Sequence, residues 1–380
     1  MAIAVLKINI YTFFPTKLWL KKHRYKDIRG SYSYFIRLSI LMFIVLFFLS
    51  TAGCDSNHRP RLRLGAYFGA PFGIAYPNPE KLGKHMYSNC WGESIGLVYT
   101  SKGGFIDLGH VRDSADRTAY CSQVTYANLI RGNHEFTYRV MEPSKYCVKI
   151  TYPENWEQEI DKEKIAKEVS IKVGQYLAYN SMVWHEMITW FGYKYTILFS
   201  EYISSFSWED VYSDIIGVDI AGRALKDESG SYDNLMTKLI YEELKQLDVQ
   251  QAKTAKKAEK KIKGKWFNGT IYPFTKLKKR NFDTGLDDGY VTPWLVPGIC
   301  ENTEKVSYAV PDSDFLNEYG FSFKVKIEPN ISVKKKILKV VYPYKNGEYI
   351  IPDEHFSKIM EHIIEKEKAI NGPEVNVPNL

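Results

Sequence analysis

The sequence has little cysteine and lacks the glycine-rich loops that bind nucleotides. Its 380 residues include five cysteines, and no two of these have the C-x-x-C spacing of a cysteine zinc site. Neither G-x-x-x-x-G-K-[ST] nor G-x-G-x-x-G occurs. These absences argue against P-loop nucleotide hydrolases and Rossmann-type dehydrogenases.

The body of the chain also lacks an excess of charge. The net charge of +7 comes entirely from the first 53 residues, which hold eight Lys and Arg against one acid, Asp27. A neutral body has no electrostatic reason to bind nucleic acid, so we expect no such partner. We interpret the lysine-rich stretch 251–265 as a solvated helix end or linker, with contact to anionic lipid head groups as the functional alternative.

The first 53 residues have the layout of an export signal. A basic region precedes an apolar run from Ile40 to Leu49, which is shorter than the ~20 residues of a membrane span, and small residues follow directly before Cys54. This layout resembles a bacterial lipoprotein signal peptide and implies that acylated Cys54 anchors the chain in a lipid membrane. An uncleaved anchor is the alternative. Both place the body in the bacterial cell envelope, facing the periplasm, with the choice of membrane left open.

Four cysteines follow Cys54: Cys90, Cys121, Cys147 and Cys300. In an oxidising compartment this even number is compatible with two disulfides, whose pairing the sequence leaves open. Cys90 also precedes His110 in an order compatible with a Cys-His peptidase or amidase. A Cys-His peptidase or amidase is therefore an alternative hypothesis.

The order of predicted elements indicates an α+β fold, with β-hairpins first, a central cluster of helices, and strands and a helix at the end. Hydrophobic spacing predicts strands at 95–100, 105–111, 136–141, 146–152, 321–327 and 337–342, and helices after Asp113 and at 161–191, 207–225, 232–247 and 355–368. The expected divisions are a signal peptide (1–53), an irregular segment (54–92), an α+β core (93–250), the lysine-rich stretch (251–265) and a C-terminal region packed on the core (266–380).

Two histidines and their acidic neighbours are the main candidates for chemistry. His110 is predicted at the end of a strand, just before a helix that Asp113 caps, and such junctions are common ligand sites. On the helix 161–191, His185 precedes Glu186, which falls on an apolar face where an ionised carboxylate needs a partner or a metal. The zinc-peptidase motif is incomplete, because Thr189 stands where a second histidine belongs.

An aromatic tract follows. Asp210 and Asp214 share a helix face there, although Asp210 also suits a capping box with Ser207. We expect an aromatic pocket from Trp184, Trp190, Tyr193 and Trp208. The segment 283–289 lacks the spacing of a calcium loop and is interpreted as a turn.

Four stretches resemble an uncharacterised family of bacterial lipoproteins. They are GFIDLGHVRD (104–113), WHEMITWFGY (184–193), FSWEDVYS (206–213) and DDGYVTPW (287–294). The resemblance implies export and lipidation, and it implies no reaction.

Two functions are therefore predicted. The first is a hydrolase that uses a divalent metal such as zinc, with ligands from His110, His185, Asp113 and Asp210 and with Glu186 as the general base. The second is a non-catalytic envelope protein that binds its ligand through the aromatic residues.

Overall fold

The computed structural model describes residues 59–61, 63, 65–66, 75–88, 92–194, 201–269 and 275–379. The predicted signal peptide, Cys54 and Cys90 lie outside these residues, so acylation and the Cys-His alternative stay predictions. Within the described part no helix is long and apolar enough to cross a membrane. Chain contacts divide the protein at residue 46, and all described residues belong to the unit 47–380.

The fold is α+β, as predicted. The helices are α1 Leu108–Ile130, α2 Lys162–Trp190, α3 Asp210–Lys226, α4 Tyr232–Gln246, α5 Ala252–Ile262, α6 Lys334–Val341 and α7 Pro352–Asn371. The strands are β1 Leu97–Thr100, β2 Gly104–Asp107, β3 Glu135–Tyr138, β4 Lys145–Thr151, β5 Phe267–Asn268, β6 Lys276–Leu277, β7 Tyr290–Val291, β8 Tyr308–Ala309 and β9 Ser322–Glu328.

Helices α1, α2 and α3 pack against one another and form the centre of the molecule. Two glycines permit this close approach. A Cβ on Gly174 of α2 would lie 2.0 Å from Oγ of Ser122 on α1, and one on Gly217 of α3 would lie 2.1 Å from the carbonyl oxygen of Val111. Backbone therefore meets backbone along α1 on two sides, which brings polar groups of all three helices close together.

The strands form small antiparallel sheets. β1 and β2 make the predicted hairpin, and β3, β4 and β9 form a three-stranded sheet in the order β3-β4-β9. Strand β9, far along the chain, pairs with the whole of β4, from Lys145 opposite Glu328 to Thr151 opposite Ser322.

Three predicted elements differ from the structure. β2 ends at Asp107 and α1 begins at Leu108, so His110 and Asp113 lie on a helix, whose cap is Asp107 accepting a 2.7 Å hydrogen bond from the Gly109 N–H. Residues 337–342 belong to helix α6 instead of a strand. Helix α3 starts at Asp210 with Glu209 at the N-cap position instead of Ser207, although Oδ2 of Asp210 accepts a 2.9 Å hydrogen bond from the Ser207 N–H, as in the predicted capping box.

The helix predicted at 232–247 does not continue without a break into the lysine-rich stretch 251–265. Asp248, at φ +57°, separates α4 from α5. Ala255, Ala258 and Ile262 of α5 are buried, while most of its lysines face solvent. The described cysteines Cys121, Cys147 and Cys300 are free thiols, so no disulfide forms among them, and Cys90 lies outside the described residues.

Candidate functional site

Six side chains meet where the first turns of α1 and α3 face the last turns of α2. They are His110 with the carboxyl groups of Asp107, Glu186, Glu209, Asp210 and Asp214, and we call them the His110 cluster. Each of these carboxyl groups interacts electrostatically with His110. The helices place them there because His110 opens α1, Glu186 lies in the last two turns of α2, and Asp210 and Asp214 occupy one face of α3.

His110 is oriented by two carboxylates. Its Nδ1 lies 3.2 Å from Oδ1 of Asp214, within a hydrogen bond, and its Nε2 lies 3.7 Å from Oδ1 of Asp210. Although burial acts to lower the pKa of His110, Asp214 and Asp210 raise it well above its usual value. The side chain of His110 is 18% exposed and that of Asp214 is 1% exposed. His110 is therefore the group of this cluster that solvent reaches most easily.

The carboxyl groups outnumber the cations around them. All five are buried, and burial raises the pKa of Asp107, Glu186 and Asp214 and places the pKa of Asp210 well above its usual range. Burial also raises the pKa of Glu209 to about 8. Like charges in low dielectric disfavour ionisation, so the cluster keeps some of its protons near neutral pH.

Glu209 is the least satisfied member of the cluster. It is fully buried, and its carboxylate oxygens have no hydrogen bond of normal geometry among the described residues, although the side chain of Ser207 is close enough to lower its pKa. The charge of Glu209 acts on Asp210, Asp107 and His110, so the carboxyl group is directed into the cluster. Buried carboxyl oxygens without a partner are rare and mark a catalytic group or a place for an ion.

Glu186, the predicted general base, connects the His110 cluster by a hydrogen bond to the loop before α3, which has a strained backbone at Phe206. Its Oε2 accepts a 2.6 Å hydrogen bond from the backbone N–H of Phe206. Phe206 is fully buried and has φ of +53°, in the left-handed region that bulky side chains rarely adopt. Such strain is concentrated at functional sites, where the surrounding structure holds it.

Asp113 and His185, two of the predicted metal ligands, belong to a separate network of ion pairs that also contains Arg117 and Glu142. Arg117 Nε donates to Oδ2 of Asp113 at 2.9 Å, and the guanidinium lies 3.5 Å from Oε1 of Glu142. Nδ1 of His185 lies 2.7 Å from the same Glu142 oxygen. Burial would raise the pKa of Glu142, but Arg117 and His185 lower it to about 2. Both predicted ligands are thus engaged elsewhere, and only His110, Asp210 and Glu186 of the predicted set lie in the cluster.

A segment before the core covers the cluster. The backbone N–H of Ala66 donates to Oδ2 of Asp107 at 2.6 Å. A Cβ on Gly65 would lie 2.7 Å from Nε2 of His110 and 3.1 Å from Oδ2 of Asp107. The backbone at Gly65 therefore rests against the working face of the imidazole, where a side chain would not fit.

The four predicted aromatic residues do not share one pocket. Trp184 stacks on Phe356 in the core, and Trp208 packs against Trp266 in a second apolar cluster. Trp190 borders a groove beside α6 and α7. Tyr193 is buried in the main core.

A G-x-S-x-G stretch at Gly92–Gly96 does not form a nucleophile elbow. It precedes strand β1, whereas the elbow of a serine hydrolase follows a strand and opens a helix. The Ser94 hydroxyl donates to the carbonyl oxygen of Lys81 at 3.2 Å.

Sequence reasoning missed Asp107 and Glu209 as site residues and gave Asp214 no role of its own. Asp214 had a signal, since it lies four residues after Asp210 on the same helix face. Within the described residues, no three His, Cys, Asp or Glu side chains are arranged to hold a metal ion.

Comparison with known proteins identifies a family. A family model described as a protein of unknown function, DUF4056, matches residues 76–288, a range that contains every member of the His110 cluster. Neither the curated proteins nor the solved structures give a match. Because the model matches more than half of the sequence, the chain belongs to the DUF4056 family of proteins of unknown function.

Proposed function

We propose that the protein is a hydrolase whose active site is the His110 cluster, with His110 as the group that exchanges a proton with the substrate. The observation that carries this proposal is the hydrogen bond between His110 and Asp214 inside a group of buried carboxyls with raised pKa values. Perturbed titratable groups beside a solvent-accessible imidazole are typical of sites for general acid–base catalysis.

The contacts suggest a role for each group. Asp214 binds Nδ1 and fixes the orientation of the ring, which leaves Nε2 as the working nitrogen. Asp210, at 3.7 Å, is too far for a hydrogen bond to Nε2 and does not occupy that nitrogen. Among the described residues no serine or cysteine is hydrogen-bonded to either nitrogen of the ring, so the proposed reaction is direct attack by water.

A divalent cation such as zinc in the same cluster is the second candidate. Glu209 favours it, because two buried and unpartnered carboxylate oxygens suit a cation as well as a proton. The side chains do not converge on a common point, so a cation would require them to turn. For this reason the metal-dependent reaction ranks below the metal-free one.

We also propose that the protein acts in the bacterial envelope, held to a membrane through acylated Cys54. The support for this is the layout of residues 1–53, with a basic region, a short apolar run and small residues before the cysteine.

The proposal is tested with the purified full chain in a nonionic detergent. Chromogenic esters, phosphate esters and glycosides are assayed with the wild type and with His110→Gln. We expect His110→Gln to lower the turnover of whichever class is cleaved by about 10²–10⁴-fold. The matched control is His134→Gln, which removes an exposed imidazole on another part of the chain and is expected to retain activity.

Two further measurements separate the candidates. Activity that survives a strong chelator supports the acid–base reaction, while activity lost with chelator and restored by zinc supports the second candidate. NMR titration of the imidazole is independent of substrate, and Asp214→Asn is expected to lower the pKa of His110. An unchanged turnover in His110→Gln would remove the site from consideration.

A further inference from the structure

A basic groove lies between the end of α2 and helices α6 and α7, away from the His110 cluster. It has a volume of about 730 Å³. Four lysines border it, Lys336 and Lys339 from α6 and Lys358 and Lys366 from α7, against two glutamates, Glu361 and Glu365. The groove therefore carries a net positive charge on a chain whose body is neutral.

Two of the lysines are held in place by helix ends. Lys336 Nζ donates to the carbonyl oxygen of Phe191 at 3.4 Å, just after α2, and Lys358 Nζ donates to that of Val341 at 2.9 Å, at the end of α6. Both side chains are exposed, as are Lys339 and Lys366. Their ammonium groups keep unused donors, because an ammonium has three and one carbonyl takes only one.

The rest of the wall is aromatic and aliphatic. Phe191 stacks on His362 with ring centroids 6.0 Å apart, and the Trp190 indole is fixed by a 2.8 Å hydrogen bond from Nε1 to Glu367. Burial and Lys366 lower the pKa of His362, so its ring is uncharged at neutral pH. Ile370, which also borders the groove, is 61% exposed.

We propose that this groove binds the head group and upper acyl chain of an acidic phospholipid. The lysines match the phosphate charge, and Trp190, Phe191 and Ile370 match an apolar chain that a soluble anion does not have. Three residues after α6, Tyr344 is 98% exposed, as is typical of aromatic side chains at a membrane interface. This inference does not depend on the hydrolase proposal.

Calorimetric titration of the full chain in nonionic detergent tests the inference. The probes are soluble short-chain lipids, dihexanoyl phosphatidylglycerol and dihexanoyl phosphatidylcholine, together with inorganic phosphate. We expect saturable binding of phosphatidylglycerol at least tenfold tighter than of the other two. The double variant Lys339→Glu/Lys366→Glu is expected to weaken that binding at least tenfold.

A matched variant controls for charge alone. Lys164→Glu/Lys172→Glu changes the same number of exposed lysines, near the start of α2 and outside the groove, and is expected to leave binding unchanged. Equal weakening by both double variants, equal binding of phosphate and phosphatidylglycerol, or no binding of phosphatidylglycerol would overturn the inference. Thermal melting of each variant confirms that it is folded.

Discussion

Two buried clusters of charged side chains lie along helix α1, and they differ in the ratio of acidic to basic groups. One is the His110 cluster, in which five carboxyl groups surround one imidazole. The other, here the Arg63 cluster, contains Arg61, Arg63, His85, Glu93, Arg112 and Asp116, so that bases outnumber acids. In the Arg63 cluster both carboxylates have close cationic partners.

The difference in balance has opposite consequences for the carboxyl groups. Burial would raise the pKa of Asp116, but Arg63 and His85 lower it to about 2, whereas burial raises that of Glu209 to about 8. Each carboxylate of the Arg63 cluster has a cation beside it, and removing one partner of such a buried pair is strongly destabilising. The five carboxyl groups of the His110 cluster share one imidazole, and buried carboxyl groups of this kind lower stability and are retained where they serve a function. We therefore expect the Arg63 cluster to matter for stability, and the excess of carboxyl groups supports the proposal that the His110 cluster is the functional site.

The largest effect on stability is expected from breaking the Arg63 cluster. Asp116→Asn leaves Arg63 and His85 without their common carboxylate, and it should lower the free energy of unfolding by about 3–5 kcal/mol. Urea denaturation of the full chain in detergent measures this. The control Glu304→Gln, at an exposed position, should change the value by less than ~0.5 kcal/mol. A small effect for Asp116→Asn would contradict the structural role.

Acid should weaken the same cluster. The folded pKa of Asp116 lies below its usual value of 3.8, so its stabilisation is complete above pH 4 and is lost as the pH falls towards 2. A shift of this size corresponds to about 2 kcal/mol. Acid unfolding curves of the wild type and Asp116→Asn should therefore approach each other as the pH falls from 4 to 2, and curves that stay parallel would refute this.

A smaller effect, on activity alone, is expected from Gly65→Ala. The added methyl would lie 2.7 Å from Nε2 of His110, so the ring must shift. We expect turnover to fall about tenfold, since misplacement of a catalytic group is costly, with little change in melting temperature. Gly230→Ala is the control, because its nearest neighbour would be 3.6 Å away. Full activity in Gly65→Ala would show that the imidazole face is not used.

The sequence predicted the elements with long, regular patterns. Helix α2 was expected at 161–191 and spans Lys162–Trp190, and the β3–β4 hairpin was also expected. The short apolar run 337–342 was misjudged as a strand, because periodicity over so few residues does not separate a helix from a strand. Asp107 was overlooked as a cap because the apolar alternation continued past it through Leu108 and Val111.

The site was predicted only in part, because its composition depends on contacts between distant segments. Glu186 and His110 were singled out from their local pattern. His185 has a similar local pattern, yet it contacts Glu142, which is 43 residues away in the turn between β3 and β4. No local signal distinguishes a carboxylate with a distant cation, such as Glu142, from one without, such as Glu209.

The most direct test of the difference between the two clusters is whether Glu209→Gln and Asp116→Asn change the free energy of unfolding in opposite directions. Glu209→Gln keeps the shape of the side chain and removes a buried charge that shares one imidazole with four other carboxyl groups, so it should raise the free energy of unfolding at pH 8 by about 0.5–2 kcal/mol while turnover falls. Asp116→Asn, measured under the same conditions, should lower it. If both variants lose stability and Glu209→Gln retains full activity, the proposed difference between the two clusters is contradicted.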